Sequence, residues 1–178
     1  MTSIAIIGSG LSGLVLAGEL RNIANIKVFE KSRGIGGRMA TRYQDAFSFD
    51  HGAQYFTAKS QEFRQFLEPH IESGLVRDGQ PILVSLEGGK SPQAVVDTQG
   101  FYTAVPRMTS LCKALSEDVE VQHRREIKRI ERVDGAWQLT SSDRSDAGSF
   151  DWVVSTVPAL QTERLLPQNF ARRDKLRV

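Results

Sequence analysis

The sequence has one cysteine, Cys112, so no intrachain disulfide can form and nothing calls for an oxidising compartment. Cys112 sits in Met108-Thr109-Ser110-Leu111-Cys112-Lys113-Ala114-Leu115, a stretch with helical spacing, and reads as a buried structural thiol rather than a nucleophile. Histidine is scarce too. His51, His70 and His123 are spread along the chain and, with one cysteine, make no ligand set, so no metal is expected. There is no GxSxG elbow and no Walker lysine, which excludes serine-hydrolase and P-loop chemistry. No apolar run reaches the length of a membrane span. The chain begins MTSIAII without a basic leader, so no signal peptide is expected and the cytoplasm is the expected compartment. A net charge of +2 is too small to argue for nucleic acid, and the locally basic tail from Ala171 to Val178 reads as a solvated end.

What is present is concentrated near the start. Hydrophobic residues make up 40% and charged residues 25% of the 178 positions, a balance that allows a buried core. Ile4 to Ile7 read as a short buried strand. Gly8-Ser9-Gly10-Leu11-Ser12-Gly13 follows, then an apolar run from Leu14 to Leu20 at helical length, then Lys27-Val28-Phe29 as a second strand ending on Glu30. Strand, glycine turn, helix, strand, acid is the order a dinucleotide requires. Gly8 allows the tight turn, Gly10 lets the backbone approach a pyrophosphate, and Gly13 lets helix and strand pack closely. The helix start, with Leu11 and Ser12, turns unpaired N–H groups and the positive dipole end toward phosphate. Glu30, twenty residues past Gly10, can accept hydrogen bonds from an adenosine ribose. Beyond it, Lys31, Arg33 and Arg38 bracket Gly34, Gly36 and Gly37, combining backbone freedom with cations that balance pyrophosphate charge.

A GxGxxG helix, a strand ending in Glu and then Gly34-Ile35-Gly36-Gly37-Arg38-Met39 resemble the flavin-dependent amine oxidase superfamily. Phe49-Asp50-His51-Gly52-Ala53-Gln54-Tyr55-Phe56 is similar to a D-x-G-A-Q-Y stretch of its renalase-like branch. The resemblance spans nearly the whole chain but only the first part of such a protein. It implies FAD as cofactor, with Ala53, Gln54 and Tyr55 near the flavin and the backbone around Ile127 at the adenine end. It also implies a Rossmann-like FAD/NAD(P)-binding domain over residues 1–56 and 106–178, with part of an inserted α+β substrate domain over 57–105.

The remaining elements are read from pattern. Met39 to Tyr43 and Ala46 to Asp50 are expected to pair around Gln44-Asp45. His51 reads as a hydrogen-bonded structural histidine. Ser60 is expected to cap a helix carrying Phe63, Phe66, Leu67, His70 and Ile71, with the aromatic pair in the core and Gly74 at the end. Residues 75–105 read as strands and turns. Val76, Ile82, Leu83, Val84 and Leu86 precede Gly88-Gly89, and Asp97 to Gly100 separate Ala94-Val95-Val96 from Phe101 to Val105. Pro106 is expected in the first turn of a helix with Met108, Leu111, Cys112 and Leu115 as its apolar stripe. Val119 to Val121 reads as a short strand. The cations from Arg124 to Arg132 alternate with acids, which suits a solvated strand face. Asp134-Gly135 signals a hairpin within a β-meander. Asp151 to Ala159 reads as a parallel strand buried on both faces. Its carboxyl end, with Pro158 in a D-x-V-V-x-x-V-P pattern shared with the resembled family, is expected beside the first glycine turn, and Leu160 to Leu166 as a short helix.

The expected fold class is therefore α/β, with a parallel sheet and a β-meander. Glu30 suits the ribose of FAD or NAD equally, and the GGRM stretch favours FAD by resemblance. The implied reaction is hydride transfer to flavin from an amine or a reduced nicotinamide dinucleotide isomer, with molecular oxygen as acceptor. No catalytic acid or base is identified. Two other readings stand beside it: a non-catalytic flavin- or partner-binding module that associates, as a homodimer or with another chain, through an open sheet edge, and an NAD-dependent dehydrogenase.

Overall fold

The computed structural model describes residues 1–79, 83–95 and 100–176. The expected strand residues Ile82 and Val96, most of the turn after Val96, and Arg177 and Val178 lie outside them. In chain order the elements are β1 (Thr2–Ile7), α1 (Leu11–Leu20), β2 (Ala24–Phe29), β3 (Thr41–Gln44), β4 (Phe47–Asp50), β5 (Phe56–Thr57), α2 (Gln61–Glu72), β6 (Val76–Gly79), β7 (Leu83–Ser85), β8 (Gln93–Val95) and β9 (Phe101–Ala104). They continue as α3 (Thr109–Leu115), β10 (Val121–Gln122), β11 (Ile127–Val133), β12 (Ala136–Ser141), β13 (Asp146–Phe150), β14 (Trp152–Ser155) and α4 (Ala159–Leu165). No described helix is long and apolar enough to cross a membrane. The chain divides into two compact units, Met1–Ala40 with Cys112–Val178, and Thr41–Leu111. These divisions fall at different positions from the 56/57 and 105/106 boundaries implied by resemblance, and they assign the β3–β4 hairpin to the second unit.

The first unit is a three-layer sandwich. Its centre is a parallel sheet in the order β10-β2-β1-β14, with Ile7 level with Phe29 on one side and Ser155 on the other. Alternation along β1 sends its side chains to two cores. Ala5 and Ile7 join Phe29, Ile130, Leu139, Ala147 and Phe150, so β11, β12 and β13 cover that face. Phe29 and Phe150 meet edge-on at 5.8 Å. Ile6 and Val28 face Ala17 of α1 on the other side, with Ile4, Leu16 and Val154 around them. Each large apolar side chain so enclosed contributes about 1.5–3 kcal/mol. The meander turns at Asp134 and Gly135, both at positive φ (49° and 84°), as the Asp-Gly pair signalled. Its cations pair with neighbouring acids, Lys128 with Glu126, Arg129 with Glu131 and Arg125 with Asp143, so that face is solvated.

The last strand departs from expectation. The apolar run from Asp151 to Ala159 is strand only over Trp152–Ser155, and it lies at the sheet edge rather than buried on both faces. Trp152 is 64% exposed. Periodicity reports apolar content but not a strand's place in the sheet, and at an edge part of an apolar strand stays uncovered. The chain then turns at Pro158, which precedes α4, close to the predicted short helix.

The second unit is α+β. The β3–β4 hairpin turns at Asp45, β9 lies between β5 and β6 in an antiparallel sheet, and β7 pairs with β8. Ser60 caps α2 by accepting the Phe63 N–H at 3.2 Å, and Gly74 ends the turn after it at φ 76°. Phe63 and Phe66 are only half-buried. They belong to a ring ladder that runs Tyr102, Phe56, Phe63, Phe66, His70 at centroid spacings of 5.8, 6.0, 5.9 and 5.2 Å. Pro106 does not begin the next helix. It follows a cis peptide bond, and α3 starts three residues later at Thr109. There Asp50 accepts the Met108 N–H at 3.2 Å and Thr41 Oγ1 accepts the Thr109 N–H at 3.3 Å. The hairpin thus supplies the acceptors that the start of α3 needs. Cys112 is fully buried in α3, and burial pushes its thiol up to about 11, which fits the structural role expected.

Candidate functional site

The site is assembled where β1 ends. Gly8 turns the chain at φ 105°, a conformation open chiefly to glycine, and donates its N–H to the Phe29 carbonyl at 2.9 Å. Gly13 lies so close to this turn that an added Cβ would stand 2.1 Å from the Gly8 carbonyl oxygen. Gly8 and Gly13 are therefore glycines for the protein's own packing. Gly10 is different. Its φ of −77° and ψ of 178° suit any L residue, and a Cβ there would meet only the Gly37 Cα, at 4.0 Å. Nothing among the described residues requires glycine at this position. An uncovered backbone beside a helix N-terminus is where a pyrophosphate would need room.

Gly10 is the N-cap of α1, no side chain caps the helix, and its first turn holds no acid. The N–H groups of Leu11, Ser12 and Gly13 thus begin a helix whose start is left without a side-chain cap. Gly36 and Gly37 run alongside. Gly36 donates its N–H to the Ser9 carbonyl at 2.9 Å, a bridge links Gly10 to Gly36, and a Cβ on Gly37 would come within 3.3 Å of the Gly10 Cα. A single 3₁₀ turn, Gly37–Met39, follows, with Met39 buried as its anchor. Arg38 projects from that turn, exposed, with no hydrogen bond or ion pair among the described residues. Lys31 is exposed and donates to Gln161 Oε1 at 3.3 Å, and Arg33 is exposed.

Glu30 faces the glycine turn and is 8% exposed. Its Oε2 accepts the Ser9 N–H at 3.1 Å and the Ser9 hydroxyl at 2.7 Å, and its Oε1 accepts the Ser32 N–H at 2.8 Å. The chain entering the meander closes on the same corner. Arg125 donates its N–H to the Glu30 carbonyl at 2.8 Å and Arg124 to that of Ser32 at 2.9 Å. Ile127, two residues on, sits in the core with 4% exposure, so only its backbone is available to a ligand. On the other flank, the Thr156 N–H and hydroxyl donate to the Ile7 carbonyl at 2.9 and 3.0 Å, and the hydroxyl also reaches the Gly8 carbonyl at 3.1 Å. Thr156 thereby staples β14 to the turn and brings Pro158, two residues further on, to the same end of the sheet. That end, at the carboxyl ends of parallel strands, is where open α/β sheets bind ligands.

Gly8, Gly10, Leu11, Ser12, Gly13, Glu30, Lys31, Gly36, Gly37, Arg38, Ile127 and Pro158 all belong to the first unit. Ala53, Gln54 and Tyr55 belong to the second, where Gln54 is exposed and Tyr55, 53% exposed, meets Phe101 in a tilted ring contact at 4.9 Å. His51, expected as a hydrogen-bonded structural residue, is exposed and its side chain makes no hydrogen bond among the described residues. Asp50 of the same stretch accepts the Thr41 hydroxyl at 2.5 Å as well as the Met108 N–H, so its work here is structural. No group of described residues has the composition of a metal site. Sequence reading passed over Ser9 and Thr156. Ser9 fills a variable place in the glycine motif, and Thr156 lies within an apolar run. Only folding reveals that both hydroxyls face the turn.

The fold and this corner have the layout of an α/β unit of Rossmann type, and residues 6–69 match the model of the NAD(P)-binding Rossmann-like domain. The chain is 32% identical over 76 residues to the 4,4'-diapophytoene desaturase (4,4'-diaponeurosporene-forming) of Staphylococcus aureus strain Newman, covering 36% of this chain and 15% of that protein. The corresponding protein of strain MRSA252 is 40% identical over 50 residues, 28% of this chain and 10% of its own length. Among solved structures, a protoporphyrinogen oxidase-like protein from Exiguobacterium sp. 255-15 superposes with a TM-score of 0.73 at 15% identity, over 99% of this chain and 63% of that one. The chain thus spans a small part of the desaturases and under two thirds of the solved structure.

Proposed function

We propose that this chain holds FAD and supplies the nucleotide-binding part of a flavin-dependent oxidoreductase. The single observation that carries the reading is Gly10, a glycine that nothing among the described residues demands, set beside an uncapped helix start and near a corner where Glu30 is fixed. Gly10, Leu11, Ser12, Gly36, Gly37 and Arg38 would take the pyrophosphate, Glu30 the adenosine ribose, and the backbone at Ile127 the adenine. Similarity to desaturases, whose name denotes redox chemistry, favours an oxidoreductase over a bare binding module.

Within that class, GGRM and the stretch from Asp50 to Tyr55 favour the renalase-like, amine oxidase-like reaction. A bound flavin would accept hydride from a reduced carbon of an amine or a reduced nicotinamide dinucleotide isomer, with oxygen as the final acceptor. The protein's contribution would be binding and orientation, with Ala53, Gln54 and Tyr55 directed at the flavin, and the cytoplasm is the compartment that the lone cysteine suits. The unpaired outer edge of β14 and the exposed Trp152 favour a second reading, in which the unit also associates with another strand through that edge.

The deciding experiment is the visible spectrum of the purified protein, with the released cofactor identified by mass. FAD absorbance is expected. A colourless protein that binds NAD tightly and does not bind added FAD would replace this reading with a nicotinamide-dependent one. Arg38→Ala is expected to weaken FAD roughly tenfold or more, the size of a lost charge-assisted hydrogen bond, with the melting temperature unchanged because Arg38 is exposed and makes no hydrogen bond or ion pair among the described residues. Calorimetric titration and thermal unfolding measure the two, and a variant that melts early would make Arg38 structural instead.

A further inference from the structure

Glu30 enters the site already occupied. An ionised carboxylate offers about four acceptor positions, two on each oxygen. Ser9 fills both positions on Oε2, one through its N–H at 3.1 Å and one through its hydroxyl at 2.7 Å. Ser32 takes one position on Oε1 at 2.8 Å. One position remains, on Oε1. Ser9 is fully buried and Glu30 nearly so, which keeps the carboxylate from swinging to free another.

We propose that Ser9 is a positioning residue that limits Glu30 to a single ribose hydroxyl, taken through Oε1. This rests on the dinucleotide reading of the site. A ribose presents two adjacent hydroxyl donors, and a carboxylate with both oxygens open could hold both. Here Oε2 is full. One hydroxyl is bound by Glu30 and the other is left to solvent or to another group. The remaining Oε1 position accepts and cannot donate, so Glu30 itself selects a hydroxyl over a phosphate oxygen. At position 9 the N–H donor comes from the backbone whatever the residue, but the second donor exists only if the side chain carries a hydroxyl.

Titration of the protein with ADP, 2′-deoxy-ADP and 3′-deoxy-ADP tests this. In the wild type, one deoxy analogue is expected to bind about tenfold more weakly than ADP and the other within about twofold of it. In Ser9→Ala an Oε2 position opens, and the previously indifferent analogue is expected to fall several-fold below ADP. A loss of fold would lower all three ligands together and leave no such change in pattern. Equal losses for both analogues in the wild type, or an unchanged pattern in Ser9→Ala, would overturn the inference. If Ser9→Ala does not fold, the wild-type pair decides alone. Failure to bind ADP at all is a separate outcome, which removes the dinucleotide reading and this inference with it.

Discussion

Gly10→Val is expected to give a folded protein that no longer holds a dinucleotide. The backbone at Gly10 lies at φ −77° and ψ 178°, ordinary extended territory for a β-branched residue. An added Cβ finds only the Gly37 Cα, 4.0 Å away, so the chain itself gives the new side chain little resistance. The branched methyls would instead fill the space in front of the α1 N-terminus, where the phosphates are to lie. Losing that approach costs the helix-end contacts as well as the steric overlap, and a loss of affinity of roughly 100-fold or more follows, equivalent to about 2.7 kcal/mol. Titration with FAD or ADP measures the loss, and the melting temperature should stay within a few degrees of wild type. A variant that keeps its cofactor would move the phosphates elsewhere.

Gly13→Ala is expected to do the reverse and damage the fold whether or not a ligand is present. The new Cβ would stand 2.1 Å from the Gly8 carbonyl oxygen and 2.9 Å from the Thr156 hydroxyl. The obstacle is backbone, so α1 must lift away from the end of β1. That movement loosens the packing of Ala17 against Ile6 and Val28 and pulls at the staple Thr156 makes to the turn. Overpacking of this kind costs ~1–3 kcal/mol, and for a chain of this size each kcal/mol lowers the melting temperature by about 2–4 °C. Thermal unfolding without added cofactor is the measurement, and an unchanged midpoint would mean the helix has more freedom than the contacts allow. The two substitutions together separate the glycine proposed to serve a ligand from the glycine that serves the protein's packing, although both belong to one six-residue motif.

How far the sequence could be read depended on the range of the interactions. The β1 turn, α1, β2 and Glu30 follow from neighbours within about thirty positions, and all appear close to where pattern placed them. So do the Ser60 cap and the Asp134-Gly135 turn, because each rests on local backbone chemistry. The misreadings were long-range. Pro106 looked like a helix start because proline suits a first turn, but α3 takes its first acceptors from Asp50 and Thr41, some sixty residues back, and begins at Thr109. The apolar run after Asp151 looked doubly buried because its composition is that of an inner strand. Its exposure was decided by its place at the edge of the sheet.

From the residues alone came a glycine turn, an acid twenty residues past Gly10 and a pair of following glycines, since each is written in contiguous sequence. Folding alone decided which glycine is spare, how the carboxylate is aimed and which strand flanks the turn. Those depend on atoms brought together from far along the chain, Ser9 with Glu30, Gly10 with Gly37, Thr156 with Ile7. No periodicity within a segment records such a meeting, because its geometry is set by the packing of the whole sheet and its two covering layers.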